Sequence, residues 1–285
     1  MSNQDYISAP ELAKLTSKFE GKSYFIIPPY QRSYAWNKDR VESFWDELLI
    51  PDNKSKYNLS FSGSIILKRN NKNDPENQFE IIDGQQRFIT ISIFLGLIRD
   101  YSSFLLETKY KRNRNVSSVY TDIVSNTKNQ LRIKKIYHHE AKPRISVGKV
   151  IRDFYEKIIV ESNGYEKNLS TTLSSLNNDS ERNILRNYKT FSEKLIEYIK
   201  NHDKTGNNEH NVIIKLLESL DKIDVIQINV TDDVAAYEIF ETVNSKNEPL
   251  TSSDLIKNQI LRSLDQKEDY ENTWNDSIAN ISQVD

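Results

Sequence analysis

From Phe88 onward the chain carries apolar residues on every side of a helical turn: Ile91, Phe94, Leu95 and Ile98 share one face, while Ile93 and Leu97 occupy others. A helix from about Gln86 to Leu106 with that pattern has no face to give to water, so it is expected at the centre of the core. Its continuous apolar part, Phe88 to Ile98, includes Thr90 and Ser92 and is shorter than the ~20 residues a bilayer crossing needs. No membrane span, and no membrane partner, is expected.

The residues around this helix predict strands. Phe61 to Lys68 and Gln78 to Ile82 are strand-like and are separated by NNKNDPEN, whose turn-forming residues predict an antiparallel pair. Tyr24 to Ile27 reads as another strand, stopped by Pro28-Pro29. Asn37 is placed to cap a helix in which Val41, Phe44, Trp45, Leu48 and Leu49 define one buried face. Ser8 to Glu11 reads S-A-P-E, a capping box that predicts a short helix through about Phe19. Ile223 to Val230 returns to strand character; Asp233 to Val243 and the segment capped by Thr251 to Asp254 predict further helices.

At 285 residues the chain has about two domains' worth of length, or one large domain with an insertion. The expected class is α/β in the α+β sense, a mixed sheet with a central helix plus a largely helical lobe. The expected boundaries are a core over 1–106, a helical basic lobe over 107–222, and a return to the core over 223–285. Cysteine is absent, which removes disulfides, thiolate metal sites and cysteine nucleophiles. The opening MSNQDYISAPELAK lacks the basic start and apolar block of a secretion signal, so the expected location is cytoplasmic.

Chemistry concentrates where the predicted strand ending at Ile82 passes through Asp83-Gly84-Gln85-Gln86-Arg87 into the central helix. The first turn of a helix leaves backbone N–H groups unpaired and carries positive potential, and a glycine permits close approach. Arg87 is suited to clamp a phosphate, Asp83 to hold Mg2+ or orient water, and Gln85 and Gln86 to bind a nucleotide or position that water. The same residues also suit a plain turn and cap with Arg87 in a surface ion pair. Pro28 to Trp36 holds Tyr30, Gln31, Arg32, Tyr34 and Trp36, types that either stack on bases and bind phosphate or staple the loop to the next helix.

Net charge is −2, but Lys109 to Arg152 holds twelve Lys or Arg, including Lys134, Lys135 and Arg144, against Asp122 and Glu140 alone. That segment suits a polyanion, or else a solvated surface with acidic neighbours. The four histidines, His138, His139, His202 and His210, have no metal-binding spacing, and no GxSxG elbow is present.

Three ordered motifs, IPPYQRSYAW, FEIIDGQQRFIT and FETVNSKNEPLTSSDLIKN, resemble the ParB-like amino-terminal domain of GmrSD-type, modification-dependent restriction endonucleases. The resemblance spans roughly residues 8 to 265. It implies nucleoside-triphosphate binding and hydrolysis with Mg2+ at Asp83, Gly84, Gln85, Gln86, Arg87 and Thr90, with Asp83, Gln86 and Arg87 as catalytic candidates. It matches Tyr30, Gln31, Arg32, Tyr34 and Trp36 to the first motif, and Phe240, Asn244, Leu250, Asp254, Leu255, Lys257 and Asn258 to the third. The first-motif residues, with Lys134, Lys135, Arg144, Lys257 and Asn258, are the expected DNA contacts. The expected partners are DNA, modified or not, a second copy of the chain as a homodimer, and an HNH-type nuclease domain or subunit. No such nuclease motif occurs in these 285 residues, so the nuclease is expected on another chain or in a longer protein.

Overall fold

A computed structural model describes residues 7–29, 31–49, 60–69, 77–134, 141–232, 235–236 and 238–239. The amino-terminal half runs β1 (Glu11–Lys14), a 3-10 turn (Thr16–Phe19), β2 (Tyr24–Ile26), α1 (Lys38–Leu49), β3 (Ser60–Arg69), β4 (Gln78–Asp83) and α2 (Gln85–Thr108). It continues through α3 (Arg114–Leu131), β5 (Arg132–Lys134), β6 (Ala141–Pro143), β7 (Ile145–Ser146) and α4 (Lys149–Tyr155), which passes into a π turn (Glu156–Val160). After α5 (Tyr165–Ser170) and a 3-10 turn (Leu173–Ser175) come α6 (Asp179–His202), α7 (Glu209–Leu220) and β8 (Ile223–Val230).

The main sheet has the order β1-β8-β3-β4-β2-β7 and is mixed: β1–β8 and β3–β4 are antiparallel, while β8–β3, β4–β2 and β2–β7 are parallel. β5 and β6 form a separate antiparallel pair. The α+β class read from the sequence is the class observed. The β3–β4 pair lies where the turn residues placed it, and Asn37 Oδ1 accepts the Arg40 N–H at 3.2 Å to cap α1.

The amino terminus differs from expectation. Residues 11–14 form a strand, not a helix, because they find a partner outside local sequence: Glu11 pairs with Gln227 through to Lys14 with Asp224. Ser8 caps nothing helical; its hydroxyl accepts the Asn229 N–H at 2.9 Å, and Lys14 Nζ sits 2.8 Å from Asp224. Sheet pairing at long range overrides a local helix signal worth only a fraction of a kcal/mol per residue.

α2 is the expected central helix, longer than predicted at 24 residues. By length and apolarity it is the one helix among the described residues that is long enough to cross a membrane, yet 83% of its most apolar stretch is buried in this protein. Around it the side chains of α1, α3, α6, α7, β3, β4 and the π turn form one hydrophobic cluster, so the segment 107–222 shares its core with the sheet. Gly96 lets the π turn approach, since a Cβ there would stand 3.2 Å from the Ile159 carbonyl oxygen. Three residues later the buried Arg99 donates to the Ile159 and Val160 carbonyls at 2.6 and 2.9 Å and pairs with Asp100, whose carboxylate also accepts from Tyr188 and Asn168. These partners, the Asp100 charge above all, offset the cost of burying the Arg99 guanidinium.

Candidate nucleotide site at the start of the central helix

β4 delivers Asp83 to the edge of the core, and Gly84 turns the chain into α2 with a left-handed φ of 99°. That conformation costs an L side chain energy, and a Cβ at Gly84 would also stand 2.9 Å from Ile65 Cγ2 on β3. The first helical bond is Phe88 N–H to the Gly84 carbonyl at 3.1 Å, so the preceding N–H groups of the first turn have no partner within the helix.

Arg87 lies half-buried beside a second left-handed glycine. One guanidinium nitrogen donates to the Ser64 carbonyl at 2.9 Å, and a Cβ on Gly63 would come within 2.9 Å of the other. Gly63 has φ 75° and falls where the β3–β8 register shifts, a bulge that re-aims the strand beside α2. Among the described residues Arg87 Nε is buried without a hydrogen-bond partner, and so is the Oε1 of Gln85, two residues earlier and only 8% exposed. Such buried polar atoms call for a partner from outside the protein, water or ligand.

The charges of this corner are balanced. Burial raises the pKa of Asp83, opposed by a hydrogen bond from the Gly84 N–H and by the charges of Arg87 and Arg32. Burial lowers the pKa of Arg87, opposed by Asp83 and Glu47. Burial also raises the pKa of Glu47, opposed by its bond from the Ser62 hydroxyl and by Arg87. Ser62 Oγ donates to Glu47 Oε2 at 2.9 Å, so α1 brings a second carboxylate to the corner.

Several expected site residues do other work. Gln86 is a clip: its Oε1 accepts the Ala35 and Trp36 N–H groups at 2.8 and 3.3 Å, and its Nε2 donates to the Ser33 carbonyl at 3.2 Å. Its carboxamide is committed to the loop and not presented to a nucleotide. Thr90 is fully buried, with its hydroxyl 2.7 Å from that of Tyr34, which also accepts from Asn187 Nδ2 at 3.0 Å. Thr90 therefore cannot reach a nucleotide, and Tyr34, 1% exposed, cannot stack on a base. Gln31 is likewise buried and donates through Nε2 to the Ile81 and Ile82 carbonyls at 2.5 and 2.9 Å. Of the two readings of Pro28 to Trp36, stapling holds for Gln31 and Tyr34. Truncating the clip in Gln86→Ala removes the acceptor of the partly buried Ala35 and Trp36 N–H groups and is expected to cost about 0.5–1.5 kcal/mol. Faster hydrogen exchange at the Ala35 and Trp36 amides is the measurement that checks it.

Arg144 is corrected as a DNA contact. It is 3% exposed, and its guanidinium donates to the carbonyls of Gln130, Glu20, Ser23, Asn129 and Gly21 at 2.6 to 3.3 Å. Other cations of the basic segment are also engaged: Lys109 pairs with Glu209, and Lys142 Nζ sits 3.7 Å from the centroid of the Tyr24 ring. Lys111, Arg112, Arg114 and Lys128 are exposed at α3 and its approach. Arg32 is half-buried near Asp83, and half-buried Trp36 lines an open pocket of about 330 Å³ with Asn37, Asp39 and Arg40. Tyr30, Lys135, the side chain of Lys134, and Lys257 and Asn258 lie outside the described residues, as do most of the helix expected over 233–243 and the one capped by Thr251.

Glu47, Ser62 and Gly63 were not legible as site residues. The available signals were a glycine inside a strand-like run, which suggests a bulge, and an acid bordering the apolar face of α1.

Mg2+ fits this donor set. Among the described residues no group of three or more acids or histidines could cage a metal, but Mg2+ is commonly held by one or two carboxylates with phosphate oxygens supplying other positions. Asp83 is the carboxylate placed for that.

A family model described as GmrSD restriction endonuclease, N-terminal domain, matches residues 12–261. No curated protein matches the chain.

Proposed function

Because the chain belongs to the GmrSD restriction endonuclease N-terminal domain family and is a restriction-system component, we propose that its β4–α2 corner binds and hydrolyses a nucleoside triphosphate and so couples DNA sensing to a nuclease. One observation carries this reading. At the first turn of α2, next to the left-handed Gly63 and Gly84, Arg87 carries a half-buried guanidinium whose Nε has no hydrogen-bond partner among the described residues.

The roles follow from the geometry. The first-turn N–H groups of α2 and the Arg87 fork bind phosphate oxygens, where the helix dipole also favours negative charge. Asp83, tied down by the Gly84 N–H, holds Mg2+ through its carboxylate. The metal, when bound with the nucleotide, supplies charge neutralisation of the phosphates. Arg87 then exchanges its Ser64 carbonyl for a developing phosphate charge, a term worth more in a half-buried corner than in water.

DNA, modified or not, is proposed to lie across the exposed cations Lys111, Arg112, Arg114 and Lys128, with half-buried Arg32 and the pocket lined by Trp36 and Arg40 as further contacts. The proposed effector is an HNH-type nuclease domain or subunit.

Phosphate release measured with ATP, GTP, CTP and UTP, each with and without DNA, tests the reading. Release with at least one nucleotide is expected. No release and no binding of any of the four by folded protein would overturn it. Binding without release would leave a nucleotide switch.

A further inference from the structure

Glu47 stands outside all three motifs, yet α1 carries it to the same corner. It accepts from Ser62 Oγ at 2.9 Å on the strand segment whose next residue but one, Ser64, is bonded to Arg87. The bulge at Ser62 to Ser64 is thus gripped by a carboxylate of α1 and by the arginine of α2, with Gly63 between them offering no side chain. We propose that Glu47 is a further catalytic residue, accepting the proton of the water that attacks the γ-phosphorus. The inference rests on the triphosphate reading above.

The two carboxylates of the corner are held by different partners, Asp83 at the start of α2 and Glu47 by the Ser62 hydroxyl of the bulge. Asp83 receives a backbone N–H from Gly84 and faces two cations, Arg87 and Arg32, although burial still raises its pKa. Glu47 faces Ser62 from β3 and Arg87 from α2, and burial leaves its affinity for a proton above that of an ordinary glutamate. Raised proton affinity is what a base operating near neutral pH requires. Arg87 lies between the two acids electrostatically, so a phosphate drawn to Arg87 is brought into the neighbourhood of both.

The step balances without another reactant. A bond forms between the water oxygen and the γ-phosphorus, and the bond from that phosphorus to the β–γ bridging oxygen breaks with its electron pair leaving on the nucleoside diphosphate. One water proton passes to the Glu47 carboxylate and from there to solvent. Ser62 keeps the carboxylate oriented by occupying one of its oxygens.

The test uses the full chain and whichever of the four nucleotides the parent hydrolyses. In Glu47→Gln the shape is kept and the base is lost. Equilibrium binding of that nucleotide is expected to stay within about threefold, while turnover falls by about 10² to 10⁴. Glu47→Asp is expected to regain part of the rate, and Ser62→Ala, which retains the base but frees it, to lose less than Glu47→Gln. Thermal unfolding of each variant identifies failure to fold, in which case the Asp and Ser62 variants decide. Turnover at the parent rate in Glu47→Gln, or equal loss of binding and turnover in folded protein, overturns the role of Glu47 alone. A parent that neither binds nor hydrolyses any nucleotide overturns the triphosphate reading and this inference with it.

Discussion

Arg87→Ala is expected to lower phosphate release by about 10³-fold or more, the scale at which an arginine that neutralises charge in phosphoryl transfer acts. Among the described residues the side chain makes one protein hydrogen bond, to the Ser64 carbonyl, and is otherwise faced by Asp83 and Glu47. Its removal therefore takes away the cation that a phosphate would meet and leaves Asp83 and Glu47 without the charge that opposes theirs. Arg87→Lys keeps a charge but loses the planar fork, so it is expected to recover only part of the rate. Steady-state release by parent and both variants checks this, with urea unfolding alongside to separate lost chemistry from lost fold. Release by Arg87→Ala within threefold of the parent would remove Arg87 from the mechanism.

Arg144→Ala is expected to show the opposite profile, a large loss of stability whose cause has nothing to do with DNA. Five backbone carbonyls converge on this guanidinium, from Glu20, Gly21 and Ser23 ahead of β2 and from Asn129 and Gln130 at the end of α3. Burial pulls its pKa down to about 10, which leaves it protonated at neutral pH. Deleting it strands several partly buried carbonyls at about 1–3 kcal/mol each, some of which water will recover, so a net loss of about 3–5 kcal/mol is expected. An exposed arginine would change stability by about 0.5 kcal/mol or less. Urea midpoints decide between these. A variant as stable as the parent but with weakened DNA binding would restore Arg144 to the nucleic-acid surface.

The two arginines illustrate what a sequence can and cannot disclose. The place of Arg87 at the start of the central helix was legible because strand, glycine and apolar helix are consecutive in sequence, whereas Ser64 and Glu47, the groups it faces, come 23 and 40 residues earlier. The same locality made the β3–β4 pair, the apolar face of α1 and the central position of α2 readable. Arg144 was grouped with the surface cations because charge counts carry no depth; its partners stand up to 124 residues away in the chain. Residues 11–14 were misread for a related reason, since their strand partner β8 begins more than 200 residues later. Gln31, Tyr34 and Gln86 have the residue types of a binding loop, but their hydrogen bonds to β4, Thr90 and residues 33–36 turn them inward to build the loop. Glu47 escaped notice because an acid beside a helix's apolar face usually meets solvent, and only the bulge at Gly63 brings it to Arg87.

A crystal grown with Mg2+ and a non-hydrolysable triphosphate tests the central claim most directly. The account predicts phosphate oxygens against the first-turn N–H groups of α2, with the Arg87 guanidinium turned from the Ser64 carbonyl onto them. A nucleotide bound elsewhere, with Arg87 still on Ser64 and nothing at the start of α2, would contradict it.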